Sequence, residues 1–202
     1  MMPLSRLISL LGRWVPLTAF LTYGVASAHP HVWIKYAVRV DMRGTLILSI
    51  GETWRFSEGF PFQLVGVASL PKNGPLNARE TALFRDQAFS HLADVQYFNH
   101  LVVDGEPQPF RDPADFRVSV EHGEIVYTFT LKLAKPVQVM RHHVTLGIWD
   151  DTFFVDYEPE ATKTAISISG HSAITCTMKS FADRAHPIFG GIVIPQATTI
   201  SC

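Results

Sequence analysis

A mostly β fold, an antiparallel sandwich-like domain with one helical insertion, is predicted by three observations on this 202-residue chain. Apolar and polar residues alternate in run after run, short turn signals separate the runs, and only the stretch from about 60 to 95 has helical spacing. Short strands at such regular intervals close most simply into two packed layers.

The first strand runs from Val32 to Val40, with Val32, Ile34, Tyr36, Val38 and Val40 on one face and Trp33, Lys35, Ala37 and Arg39 on the other. Asp41-Met42-Arg43-Gly44 makes a turn. The next run, Thr45 to Phe56, puts Leu46, Leu48, Ile50, Trp54 and Phe56 together, so the two pair as a hairpin. Glu52 breaks that apolar face, where an unpaired carboxylate is costly. It calls for a rim position or a lysine or arginine partner, with a ligand role as the sharper alternative.

Within the insertion, Asn77 and Glu80 have capping-box spacing, and Phe84, Ala88 and Leu92 recur every four residues with Phe89 beside them. His91 falls on the outward face and takes no chemical role. Period two then returns from Tyr97 to Val103, ending at Asp104-Gly105. Phe116 to Val120 and Ile125 to Leu131 flank Glu121-His122-Gly123-Glu124. Val144 to Trp149 and Phe153 to Tyr157 flank a hairpin turn at Asp150-Asp151-Thr152, and a last strand runs from Thr164 to Ser169.

Ahead of all this, Arg6 and Arg13, an apolar run from Val15 to Val25 and the small pair Ala26 and Ala28 have the layout of a secretory signal. Residues 1–28 are therefore expected to be removed after Ala28, leaving 29–202 as a single exported β-rich domain. The apolar run is too short to span a bilayer as a mature helix. Removing Arg6 and Arg13 leaves fifteen basic against eighteen acidic residues, a net charge of about −3, which lacks the basic footprint of a nucleic-acid binder. Cys176 and Cys202 are the only cysteines; in an oxidising space they either form a disulfide or stand as two thiols.

Cleavage after Ala28 makes His29 the first residue, so its amine and imidazole can grip one ion together, with His31 pointing to the same side. Three nitrogen donors suit nickel, copper or zinc. Pro30 has no amide proton to lose, so the square-planar motif built on successive deprotonated backbone nitrogens is excluded. The competing reading is a frayed terminus that only leads into the first strand.

Asp150 and Asp151 fit a turn for purely local reasons. Asp156 shares a face with Phe154 in a strand that looks made for burial, and either binds an ion, orients a histidine or serves as a buried hydrogen-bonded aspartate. The candidate metal residues are thus His29, His31, Asp150 and Asp156. His142-His143 point to opposite faces, His100 reads as a satisfied strand histidine, His122 lies in a turn, and His171 and His186 fall in irregular segments. No phosphate loop, His-Glu-x-x-His helix or nucleophile elbow is present.

Four segments in order, His29-Pro30-His31-Val32-Trp33-Ile34, Thr53-Trp54-Arg55-Phe56, Tyr97-Phe98 to Val103-Asp104-Gly105, and Asp150 to Tyr157, resemble the exported domain-of-unknown-function family one-thousand-and-seven. The resemblance covers nearly all of the mature chain. It implies a periplasmic component beside an inner-membrane ABC-type transporter, in a family often associated with nickel, cobalt or zinc transport. It also implies an EF-hand-like loop in the insertion, with Gly74 at the glycine and Glu80 at the twelfth position. Ser69, Pro71 and Asn73 stand where aspartates would be expected, so the loop is degenerate, calcium is not expected and Glu80 serves as a cap.

The function expected is a periplasmic accessory protein that binds a divalent transition metal (nickel, cobalt, zinc or copper) for a membrane transport system. Two rivals stand beside it. One is a copper histidine-brace oxidoreductase built on His29; the other is a metal-free sandwich that docks on a membrane partner through Trp33 or the Phe153/Phe154 segment.

Overall fold

The alternation that opens the mature sequence folds as a hairpin of β1 (Val32–Arg43) and β2 (Leu46–Glu58). The computed structural model describes residues 30–160, 165–171 and 174–202. Two register irregularities, near Asp41 and between Ile47 and Ser49, shift the faces of the hairpin by one residue. Ile47 and Ile50 are consequently both buried, while Leu46 and Leu48, expected on the inner face, are half-exposed.

The insertion follows. A single turn at Phe62–Val65 leads to the two-residue strand β3 (Gly74–Pro75), and Asn77 caps helix α1 (Ala78–Gln87). The expected capping box is complete: Asn77 Oδ1 accepts the Glu80 amide at 2.9 Å and the Glu80 carboxylate accepts the Asn77 amide at 3.3 Å. Such a cap stabilises a helix by about 1 kcal/mol. Asn73 Oδ1 meanwhile accepts the His122 amide at 2.8 Å. Phe84 and Phe89 are fully buried, pressing into Tyr127 with Phe116 and Phe129 around them.

A tight 3-10 stretch, Phe89–Phe98, ends with Gln96, Tyr97 and Phe98 all at positive φ. That reversal delays the next strand, β4, to Asn99–Val103 instead of Tyr97. β5 (Glu106–Pro107), β6 (Ala114–Glu121) and β7 (Glu124–Gln138) follow, the last two joined by the expected turn, with His122 at φ 53°. Then come β8 (Val144–Ile148), β9 (Val155–Pro159), β10 (Ile166–His171), β11 (Thr177–Ala182) and β12 (Gln196–Ser201).

The strands form two sheets. The larger has the order β10-β1-β2-β7-β6-β3, with β9 also paired to β1; the smaller has the order β11-β12-β8-β4-β5. Most pairings are antiparallel, as expected, but β9 and β10 run parallel to β1, one along each half of it. β8 and β9 are therefore not a hairpin. The Asp150 turn carries the chain from the small sheet to the large one. One continuous core lies between the layers, with Val38, Ile50 and Leu131 from the large sheet and Leu101, Leu146 and Ile200 from the small one. Cys176 and Cys202 are bonded, joining the residue after β12 to the segment before β11, 26 residues apart in sequence. Among the described residues no helix is long and apolar enough to cross a membrane.

Candidate functional site

His29 lies outside the described residues, but the chain two residues later is already held. The His31 amide donates to the Phe154 carbonyl at 2.9 Å, the Val32 amide to the same oxygen at 3.2 Å, and the His31 ring lies 4.8 Å from the Phe154 ring. Val32 then pairs with Val155 and Trp33 with Asp156 as β1 and β9 run side by side. The start of the first strand is thus set against the acidic turn, although the two are separated by some 120 residues of chain.

What shapes that turn is Asp150, which is 6% exposed. Its Oδ1 accepts the Thr152 amide at 2.9 Å and the Thr152 hydroxyl at 2.8 Å; its Oδ2 accepts the Phe154 and Val155 amides, both at 3.1 Å. Four donors on one carboxylate are charge-assisted bonds that make its burial tolerable. They also fix Phe154, whose carbonyl receives His31. Asp150 and His31 are therefore brought together through Phe154, with the carboxylate acting on the backbone of the turn. Beside it, Asp151 accepts the Trp149 indole at 3.1 Å and Phe153 sits at φ 55°.

Asp156 is the register partner of Trp33 and is half-buried. Burial pushes its carboxyl above the usual aspartate range, the Glu158 charge adds to this, and the Tyr157 amide works against it. It does not share a strand face with Phe154 as expected, because β9 begins only at Val155, after the backbone reversal at Phe153.

Two hollows meet at Asp150, Val155 and Tyr157. One is an apolar groove of about 420 Å³ between the insertion and the open end of the sheets, floored by Trp54, Phe89 and Tyr127, with Val95 and Phe154 exposed along its rim. The other is a cleft of about 140 Å³ beneath the turn, walled by β9 and the segment around Pro195.

Glu52 is the buried group that sequence reasoning placed wrongly. It is 2% exposed, neither at a rim nor beside a lysine or arginine; its Oε2 accepts the Trp54 indole at 3.1 Å and its Oε1 has no partner among the described residues. Burial pushes its carboxyl up to about 8, with the indole bond pulling slightly the other way. Burial and then the Glu52 charge raise the Tyr36 hydroxyl to about 12, and Tyr157 is raised by burial, Asp150 and Glu52. Trp54, two positions along the same strand face, was the available signal: an indole donor at that spacing can reach back to an acid.

Three other histidines have side-chain partners. His142 Nδ1 is 2.6 Å from Asp104, and His186 Nδ1 is 2.8 Å from Asp183. His100, the expected satisfied strand histidine, bonds the Trp149 carbonyl at 3.1 Å and stacks on that indole at 3.9 Å. Among the described residues no group of three or more His, Cys, Asp or Glu side chains is arranged to hold a metal ion together.

Two mainly antiparallel sheets, a helical insertion at one end and parallel edge strands along the first strand define a mostly β, sandwich-like protein. The chain belongs to the family described as Protein of unknown function (DUF1007), whose profile matches residues 14–186. No curated protein matches the chain significantly.

Proposed function

We propose that this protein is an exported, periplasmic accessory factor that holds a divalent transition metal (nickel, cobalt, zinc or copper) at the start of its first strand, in the service of an inner-membrane transporter. The amine and imidazole of His29 and the imidazole of His31 supply the donors. Pro30 keeps the intervening backbone out of the coordination sphere. Asp150 contributes through the turn that receives His31.

The observation that carries this reading is the pair of hydrogen bonds from His31 and Val32 to the Phe154 carbonyl. A chelate formed by the first and third residues of a chain would otherwise have to order a free terminus, at about 1 to 2 kcal/mol per residue. Here residue 31 is already ordered, which supports the metal reading over the frayed terminus. Binding weakens as the pH falls, since imidazole and amine coordinate only when unprotonated.

Calorimetric titration of nickel, zinc and copper into protein whose first residue has been verified by mass spectrometry tests it. The expected result is one metal per chain, with affinity falling roughly tenfold or more for His29→Ala and for His31→Ala. Unchanged binding in both variants contradicts it.

The apolar groove favours a second reading, a module that docks on its membrane partner through the Phe154 rim. On that reading Phe154→Ser abolishes transport support in cells while leaving metal affinity intact; normal transport support from this variant contradicts it.

A further inference from the structure

We infer that the cleft beneath the Asp150 turn is a binding site for a small organic ammonium ion. Its lining includes four aromatic residues, Tyr36, Trp149, Phe153 and Tyr157, and two carboxylates, Asp150 and Asp156, and no lysine, arginine or histidine. Aromatic rings beside carboxylates, with no cationic side chain in the lining, together select a cation of low hydration. The site uses neither His29 nor His31 and shares with the metal reading only Asp150, which acts there through the backbone of the turn.

Size and chemistry narrow the occupant. At about 140 Å³ the cleft is close to an engineered apolar cavity of about 150 Å³ that accepts benzene, so it suits a molecule of roughly six to eight heavy atoms.

A bare metal ion fits this lining poorly. It needs several donor atoms at about 2 Å, whereas both Asp150 oxygens already accept two protein donors each, and no three-ligand group exists among the described residues. An anion is repelled by the carboxylates. An alkylammonium needs only the negative field and the ring surfaces, and asks Asp150 to give up none of its bonds.

The test uses the mature protein stripped of metal with a chelator, titrated at constant ionic strength with choline chloride and, separately, with 3,3-dimethylbutan-1-ol, its uncharged isostere. Nuclear magnetic resonance follows the Trp149 indole and the Phe153 and Tyr157 amides. The expected result is saturable shifts at these positions with choline binding roughly tenfold tighter than the alcohol. Asp156→Asn removes most of that preference with an unchanged folded spectrum. Equal binding of the two probes overturns the inference. So does the absence of saturable shifts in the millimolar range from a folded sample, or displacement of choline from these residues by stoichiometric zinc.

Discussion

Two buried carboxylates, one in the middle of β2 and one in the turn before β9, are treated in opposite ways by the same fold. Asp150 receives four donors and holds a crossing between sheets; Glu52 receives one, from Trp54, and is kept as the neutral acid to about pH 8. Their burial is nearly equal, at 6% and 2%. The difference teaches that burial alone does not decide what a carboxylate does: the number of donors aimed at it does. The turn aims three backbone amides and one hydroxyl at its carboxylate, whereas the amides of β2 are already engaged in the ladders to β1 and β7.

Removing the well-served carboxylate should do the most damage. Asp150→Ala removes the acceptor of all four bonds and is expected to lower the unfolding free energy by about 4 kcal/mol, with loss of hydrogen-exchange protection where β9 meets β1. A loss below about 1 kcal/mol would mean that the four bonds do not organise the turn, and the comparison would break.

Glu52→Gln should act in the opposite direction, and only over part of the pH range. The folded carboxyl lies near 8 against an ordinary value of 4.5. Between those values the unfolded chain releases the proton while the folded chain keeps it, so wild-type stability from this group is full below about 4.5 and declines as the pH rises to about 8. The variant is expected to match the wild type near pH 4.5 and to exceed it by about 4 kcal/mol at pH 8 in denaturant unfolding. A stability difference that does not grow with pH would show that Glu52 is not held neutral.

Smallest is the effect of withdrawing a single donor. Thr152→Val deletes the hydroxyl bond to Asp150 and keeps the amide bond, for a loss of about 1 kcal/mol, measurable as a modest shift in the denaturation midpoint. Combined with Asp150→Ala it should cost less than the sum of the two changes, because both act on one network.

The contrast also marks how far the residues alone could be read. Alternation identified β1, β6 and β7 because their inner faces carry unbroken sets such as Val32, Ile34, Tyr36, Val38 and Val40. It misassigned Leu46 and Leu48 because a bulge is invisible to a strict period of two. β11 and β12 escaped notice: most of Thr177–Ala182 is exposed, and Gln196–Ser201 carries small or polar residues for much of its length. Asp150-Asp151-Thr152 read as a hairpin turn since its local chemistry is that of one. Only the distant partner, β1, decides that β9 joins the other sheet.

At the candidate site, His31 and the acidic turn were both named from the sequence, and what could not be read was that Phe154 links them. Glu52 was recognised as out of place, but its partner was sought among charged residues and proved to be an indole on the same strand. The bonded pair Cys176 and Cys202 was open as an alternative until its geometry settled it.

Copper(II) added in steps to isotopically labelled mature protein tests the central claim most directly, since the bound ion broadens the resonances of nearby nuclei. Sub-stoichiometric copper is expected to erase the amide signals of His31, Val32 and Phe154 first, and His31→Ala should abolish that pattern. Broadening centred on His142 and Asp104 or on His186 and Asp183, or none at all, would contradict the assignment of the metal to the start of the first strand.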